Sequence, residues 1–151
     1  MEVRPYTAND LAACLRLFDS NRPQYFTADE RGQFEAFLEP GLGSYYVLEN
    51  EGDLLGCGGF TAGQEAGLVS LTWGIVRHDL HGSGLGKFLL FYRLREIGKL
   101  AGITMVRLET APQTAGFFEK AGGFRVMKHE PDGYGPGLDR VTMVKRLAVC
   151  T

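Results

Sequence analysis

One glycine-rich segment of the chain has the residue types that bind an anion through the backbone. Residues 81–87 read His-Gly-Ser-Gly-Leu-Gly-Lys, between a predicted strand and a predicted long helix. Glycines let a ligand approach the main chain closely, and the N–H groups at the start of a helix carry a partial positive charge. The segment therefore predicts an anion site.

The spacing within this segment excludes three common motifs. The dinucleotide pattern GxGxxG fails because Gly86 comes one residue early. The Walker pattern GxxxxGK[ST] fails because His81 stands five residues before Gly86 and Phe88 follows Lys87. The nucleophile elbow GxSxG around Ser83 fails because its first position is also His81. Neither NAD, ATP nor serine-hydrolase chemistry is indicated.

The elements that position this segment follow from the spacing of the apolar residues. Capping boxes at Thr7 with Asp10 and at Thr27 with Glu30 predict the starts of two helices, and Pro40-Gly41 ends the second. Further helices are predicted at residues 85–100 and 114–121. Strands are predicted at residues 3–6, 44–48, 54–62, 68–76, 103–108, 124–129 and 141–147.

The order of these elements, β-α-α-β-β-β-α-β-α-β-β, predicts an α/β fold in a single domain, residues 1–151. The sheet should be mostly antiparallel, with a parallel pair around the long helix. Gly74 interrupts the strand at 68–76, which indicates a bulge or a close approach of another backbone. The glycine-rich residues 131–137, Pro-Asp-Gly-Tyr-Gly-Pro-Gly, are predicted to form a loop.

Composition limits the partners. The net charge of −2 and the pI near 5.9 argue against binding nucleic acid or an anionic membrane through a broad basic face. Cys14, Cys57 and Cys150 are scattered and give no disulfide framework or zinc-finger spacing. The charged start and the lack of a long apolar run predict neither a signal peptide nor a membrane helix, so a cytoplasmic location is expected.

The chain resembles the GNAT superfamily of acyl-CoA N-acyltransferases over nearly its whole length. The family's pyrophosphate-loop pattern, V-x-P-x-x-[QR]-x-x-G-x-[GA], aligns with residues 76–86, and Gly74 stands at the expected bulge. Residues 115–124, Ala-Gly-Phe-Phe-Glu-Lys-Ala-Gly-Gly-Phe, resemble the family's xxFYEKxGF segment. The resemblance implies a mixed, mostly antiparallel seven-stranded sheet with about four helices and a splayed central parallel pair.

The resemblance also implies an activity: direct transfer of an acetyl group from acetyl-CoA, a co-substrate, to a primary amine in a ternary complex. The pantetheine arm would pair with the backbone of the bulged strand, and the loop would hold the pyrophosphate. Lys87 could face phosphate or solvent. The expected cofactor contacts are Ile75, Val76, His81, Gly82, Ser83, Gly84, Leu85, Gly86, Lys87 and Phe118.

The chain departs from the family pattern at several positions. His81 replaces an arginine or glutamine, and His78 replaces a proline. Phe118 stands where many members have the tyrosine that protonates the departing CoA sulfur, and one glycine is inserted before Phe124. Backbone contacts in the loop should tolerate these changes. Acid catalysis by that tyrosine is not available to this chain.

The resemblance leaves the proton-transfer residues open. Glu109 follows a predicted strand, matches a glutamate that some relatives use, and is the leading base. A surface carboxylate or a helix-cap partner is the structural alternative. His78 and His129 are other bases. Tyr134 could act as the acid or simply pack within its loop. His78 and His81 lack a clear third ligand, so no metal is expected.

Two other functions remain open. A GNAT-like domain could bind acyl-CoA as a sensor without turnover, and a plain nucleotide-phosphate binder would respond to ATP or NAD. The acceptor would be a small-molecule amine or a peptide amine, and a homodimer is left open. Tyr25 and Phe26 could line the acceptor pocket or contribute only to packing.

Overall fold

A computed structural model provides the structure of the protein and describes residues 1–21, 28–39, 44–63 and 65–147. Four helices and seven strands lie in these ranges. The predicted Thr27 cap, the Pro40-Gly41 helix end, Tyr25, Phe26 and Cys150 lie outside the described residues. The elements are β1 (Glu2–Pro5), α1 (Leu11–Ser20), α2 (Ala28–Phe37), β2 (Ser44–Asn50), β3 (Asp53–Ala62), β4 (Leu68–Val76), α3 (Leu85–Gly98), β5 (Met105–Thr110), α4 (Pro112–Gly122), β6 (Arg125–Gly135) and β7 (Leu138–Arg146).

The strands form one mixed sheet in the order β1-β2-β3-β4-β5-β7-β6. Antiparallel pairing joins β1 to β2, β2 to β3, β5 to β7 and β6 to β7. Strands β4 and β5 are parallel, with Leu68, Val69 and Ser70 opposite Met105, Val106 and Arg107. The predicted α/β fold, with a mostly antiparallel sheet and a parallel pair, is confirmed.

The described chain divides into two compact units. One contains Met1–Thr61 and Thr72–Arg93, and the other contains Ala62–Leu71 and Leu94–Thr151. The expectation of a single domain stays a prediction. None of the helices in the described part of the chain is long and apolar enough to cross a membrane.

An aromatic core organises the first unit. Phe18 of α1 and Phe34 of α2 are fully buried and stack with their ring centroids 5.7 Å apart. Full burial of a phenylalanine side chain contributes about 1.5–3 kcal/mol. The core cluster consists of Cys14, Leu17, Phe18, Phe34, Leu38, Tyr45, Val47, Cys57 and Ile75.

The start of α1 is fixed by the predicted pairing of Thr7 and Asp10. The Thr7 N–H donates to Asp10 Oδ2 at 2.9 Å, and a 3-10 turn at Ala8–Asp10 leads into the helix. The same carboxylate accepts two hydrogen bonds of 2.8 Å from Arg4, which also bonds Glu49 at 2.6 Å. These bonds from Arg4 hold the pKa of Asp10 below its usual value.

In the second unit, the predicted loop at 131–137 is largely a strand, and that prediction was wrong. Strand β6 continues to Gly135, which pairs with Leu138 after a turn in which Gly137 has φ of +77°. The side chain of Asp139 accepts from the Asp132 N–H at 2.9 Å, which ties the glycine-rich residues to β7. Interstrand hydrogen bonds therefore override the local preference for a loop.

The helix α4 ends as its sequence dictates. Gly123 has φ of +71°, the left-handed conformation that favours glycine, and its N–H donates to Glu119 O at 3.2 Å. The Phe124 N–H donates to Phe118 O at 3.2 Å. The inserted glycine therefore forms the helix cap. The helix begins at Pro112, two residues before the predicted start, because proline is well tolerated in the first turn of a helix.

Candidate active site

The glycine loop of the first unit leaves its backbone open to a ligand. Gly82 has φ of +81° and Gly84 has φ of +90°, both in the left-handed region. A Cβ atom placed on either residue would meet no other atom within 4 Å. Both residues are exposed. Open space therefore lies over two main-chain positions that only glycine adopts readily.

The loop leads directly into α3. The Phe88 N–H donates to Gly84 O at 3.0 Å, and helix geometry offers no acceptor inside the helix to the N–H groups of Leu85, Gly86 and Lys87. The Ser83 N–H and hydroxyl both donate to Leu80 O, which fixes the preceding turn. The predicted loop residues are thus adjacent in space, with N–H groups at the positive end of a helix of 14 residues.

His81 has a contact that the sequence did not predict. Its Nε2 lies 3.0 Å from the carbonyl oxygen of Val76, which also accepts from Asn21 Nδ2 at 3.0 Å. A carbonyl only accepts, so Nε2 must carry the proton in this contact. The His78 N–H bonds the Ser20 hydroxyl at 3.2 Å. These bonds attach the loop to the end of α1, while a phosphate contact of His81 stays a prediction.

Lys87, in the first turn of α3, lies over an aromatic ring of its own helix. Its ammonium nitrogen is 5.5 Å from the centroid of the Phe91 ring, a cation–π distance. Both side chains are exposed. The contact orients the lysine without neutralising its charge, so Lys87 keeps the ability to attract an anion at the helix start.

The backbone of β4 departs from strand geometry beside the predicted bulge. Trp73, next to Gly74, has φ of +41°, which is strained for a bulky residue and costs about 1–3 kcal/mol. The Tyr45 hydroxyl donates to Trp73 O at 2.7 Å and holds this conformation. Gly74 is exposed, whereas Ile75 is only 3% exposed. Ile75 is thus buried as a whole residue, and its predicted contact with the cofactor stays a prediction.

In the second unit, both predicted catalytic residues contact Arg140. Glu109 Oε2 lies 3.9 Å from Arg140 Nε, and Arg107 Nη2 lies 3.4 Å from Glu109 Oε1. The Arg140 guanidinium is 5.8 Å from the centroid of the Tyr134 ring. It also forms two bonds to Glu130, at 2.9 and 3.2 Å, and these lower the pKa of Glu130.

Arg140 was missed by the sequence analysis. The signal that could have found it is the β6/β7 hairpin, in which Glu130 and Arg140 are register partners. The pairing becomes visible only when strand β6 is extended to Gly135, through the residues predicted as a loop. Glu109 is 42% exposed at its side chain, so it is open to solvent as well as paired with two cations.

Two other predicted residues have structural contacts in the second unit. The ring of Phe118, half-buried on α4, meets the Phe124 ring edge-on at 6.1 Å. His129 Nε2 lies 2.8 Å from Asp139 Oδ2. The hydrogen bond from the Asp132 N–H, and secondarily this contact with His129, hold the pKa of Asp139 below its usual value. In the parts of the chain that the structure describes, no three His, Cys, Asp or Glu side chains form a metal-binding group.

Comparison with known proteins identifies the family. The model of the acetyltransferase (GNAT) family matches residues 11–124. The chain belongs to the GNAT acetyltransferase family. The match includes β4, the glycine loop, α3 and the Phe118 segment, which are the parts on which the resemblance was based. No curated protein sequence matches the chain closely enough to count.

Solved acetyltransferase structures share the fold. A candidate acetyltransferase of the GNAT family from Desulfovibrio desulfuricans is 25% identical, with a TM-score of 0.78 over 97% of this chain and 99% of that one. An aminoglycoside 6'-N-acetyltransferase complexed with coenzyme A is 14% identical, with a TM-score of 0.80 over 100% and 99%. The Escherichia coli ribosomal-protein-S18-alanine N-acetyltransferase is 16% identical, with a TM-score of 0.81 over 99% and 96%.

Proposed function

We propose that this GNAT protein is an N-acetyltransferase that moves the acetyl group of acetyl-CoA to a primary amine. The observation that carries the proposal is the open backbone at Gly82 and Gly84, immediately before α3, in a member of an acetyltransferase family. A pyrophosphate carries two or more negative charges, and converging N–H groups at a helix start suit it. Acetyl-CoA supplies the activated acyl group.

The N–H groups of Leu85, Gly86 and Lys87 bind the pyrophosphate in this proposal, with Gly82 and Gly84 allowing close approach. The exposed backbone at Gly74, followed by Ile75 and Val76, pairs with the pantetheine arm in the manner of an added strand. The carbonyl of Val76 already accepts two hydrogen bonds. Hydrogen bonds from the pantetheine arm to β4 therefore depend on backbone groups other than the Val76 carbonyl.

The amine must lose a proton before or during its attack, because an ammonium has no lone pair. We assign this role to Glu109, with Arg107 and Arg140 orienting its carboxylate. His78 and His129 remain alternatives. Tyr134, oriented over Arg140, is the proposed acid, although a thiol with a pKa near ~8.5, as for cysteine, is a fair leaving group unaided.

The experiment is release of free CoA from acetyl-CoA, followed with a thiol reagent across a panel of amines. The panel covers aminoglycosides, amino acids and peptides with alanine at the N-terminus, since related GNAT structures include enzymes named for an aminoglycoside and for a ribosomal-protein alanine. Amine-dependent release with at least one class is expected. The panel also identifies the acceptor class, small molecule or peptide.

A second candidate function is an acyl-CoA sensor, which Phe118 favours because it replaces the usual acid. The sensor would bind acetyl-CoA tightly but release no CoA with any amine. A nucleotide-phosphate binder would be stabilised by ATP or NAD and not by acetyl-CoA. A cytoplasmic location and a homodimer stay predictions for either acyl-CoA function.

A further inference from the structure

Arg93 is a buried cation that the mechanism above does not use. It lies on α3 and is 4% exposed. Its Nε has no hydrogen-bond partner among the described residues, and Nη1 reaches Gly59 O only at a long 3.4 Å. A buried charge with unsatisfied donors costs folding free energy. Arg93 therefore lowers the stability of the folded protein at this position.

Glycines on two strands make the space that Arg93 occupies. A Cβ on Gly58 of β3 would lie 3.2 Å from the Arg93 Cζ, and a Cβ on Gly74 of β4 would lie 2.9 Å from Nη2. Any larger residue at either position would push against the guanidinium. The guanidinium therefore packs directly against the backbone of β4, at a position that is itself exposed on the strand.

The charge of Arg93 is not neutralised by the described part of the protein. The titratable groups that face it are Tyr45 and Cys57. Burial raises the pKa of Tyr45 well above its usual value, so this phenol stays protonated. Burial lowers the pKa of Arg93 to about 10, which still leaves it charged at neutral pH. The guanidinium of Arg93 therefore produces a positive electrostatic potential at Gly74.

A second unsatisfied group lies near the same position along β4. The hydroxyl oxygen of Thr72, two residues before Gly74, is buried without a partner among the described residues. Trp73, between them, has the strained backbone. Strained backbone clusters at functional sites, and a buried polar group without a partner calls for an explanation such as a bound water or a ligand.

The reaction forms negative charge that such a cation could stabilise. The amine lone pair forms the new N–C bond, the C–S bond breaks, and the sulfur leaves with the electron pair as a thiolate. The nitrogen proton goes to the base. With Phe118 in place of the usual acid, the thiolate is not protonated from that position as it leaves, and a nearby positive charge lowers the barrier.

We propose that the buried guanidinium of Arg93, packed against Gly74 of β4, stabilises the negative charge that forms on the thioester oxygen and then on the CoA sulfur. The inference rests on the proposed function, because it requires the pantetheine arm to lie along β4. Arg93 acts through the electrostatic field of its guanidinium across β4 and does not contact the sulfur.

The test compares Arg93→Met and Arg93→Lys with the parent, using bound CoA, so that no amine acceptor is needed. The ultraviolet absorbance of the thiolate, with the acetyl-CoA complex as blank, gives the ionisation constant of the bound thiol. The Met variant should lower this constant about tenfold, equivalent to one pKa unit. The Lys variant, which keeps the charge, should restore most of it.

Two further measurements are independent of the thiol ionisation: turnover with an amine that the parent acetylates, and thermal stability. Arg93→Met should lower kcat by about tenfold, less than loss of a direct oxyanion donor, and leave KM for acetyl-CoA unchanged. Because Met removes an uncompensated buried charge, it should unfold at the same or a higher temperature. The matched control is Arg95→Met, an exposed arginine on the same helix, which should match the parent in all readouts.

If Arg93→Met does not fold, Arg93→Gln decides, since it removes the charge and keeps a polar side chain near Gly59 O. It should lower the thiol ionisation constant in the same direction. A Met or Gln variant with the parental ionisation constant and kcat would overturn the proposal for Arg93 alone. A parent that binds neither CoA nor acetyl-CoA would overturn the proposed function, and this inference with it.

Discussion

Gly84 combines an unusual backbone conformation with open space, and the two features can be separated by substitution. Its φ of +90° strains any other residue by roughly 1–2 kcal/mol, while its surroundings accept a side chain. Gly84→Ala should therefore weaken acetyl-CoA binding modestly. Gly84→Asp, with no more strain than alanine but a carboxylate near the pyrophosphate, should abolish it. Calorimetric titration of both variants measures the difference, and equal affinities would contradict the loop assignment.

Glu109 is expected to matter for the rate more than for the fold. Its carboxylate is half-exposed and paired with Arg107 and Arg140. Glu109→Gln should lower kcat/KM by about 10²–10⁴, the usual contribution of a general base, and the loss should shrink as pH approaches the pKa of the amine. Glu119→Gln, an exposed position on α4, is the control. A Glu109→Gln pH profile that overlays the parent would move the role to His78, His129, Tyr134 or water.

Substitution of Phe118 tests whether a side-chain acid at this position increases the rate of the proposed acetyl transfer. If the protein transfers acetyl groups as proposed, it does so without a hydroxyl at this position, so Phe118→Tyr should raise kcat or leave it nearly unchanged. The half-buried ring and its edge-on contact with Phe124 leave the fold intact in either case. The neighbouring exposed Phe117→Tyr is the matched control. A clear fall in kcat for Phe118→Tyr alone would contradict this expectation and show that the added hydroxyl disturbs the site.

At the scale of elements, Asp139 organises the glycine-rich end of the β6/β7 hairpin. It accepts from the Asp132 N–H and contacts His129, and its pKa is held below the usual 3.8. Asp139→Asn should therefore lower the melting temperature at neutral pH. Because the folded pKa is depressed, this contribution is present above pH 3.8 and disappears as pH falls through the lowered value.

Circular dichroism melts of parent and Asp139→Asn between pH 7 and acid give the measurement. The two curves should converge at acid pH, where the carboxylate is protonated in both states. Asp53→Asn, at the first residue of β3, controls for the loss of one negative charge. A gap between parent and variant that stays constant through the acid range would show that the ionised carboxylate is not the stabilising form.

The sequence predicted the helices and strands correctly where local patterns determine them. The predictions failed where contacts between distant residues determine the structure. Apolar spacing was sufficient for α3 and β4. The loop prediction at 131–137 failed because Asp139, on another strand, supplies the hydrogen bond. Arg93 falls on the buried face of α3 with Leu89 and Ile97, which the spacing shows, but the glycines that accommodate it lie on β3 and β4. Arg140 needed the strand register.

For the whole molecule, ligand binding should appear as added stability. Acetyl-CoA at about 100 times its Kd adds about 2.7 kcal/mol, which for a chain of this size raises the melting temperature by roughly 5–10 °C. Scanning fluorimetry with acetyl-CoA, CoA, ATP and NAD measures the effect. Shifts with the first two and not with the others are expected. A melting curve unmoved by millimolar acetyl-CoA and CoA would contradict acyl-CoA binding.

The strained residue of β4 is also an optical probe. Trp73 is the one tryptophan of the sequence, so the indole emission of the protein arises at the bend beside Gly74 alone. Its ring lies 5.1 Å from the Phe34 ring, centroid to centroid, and is half-buried. A molecule that pairs with the neighbouring backbone changes the polarity around this fluorophore. Occupancy of the strand is therefore readable in real time, without a label and without turnover.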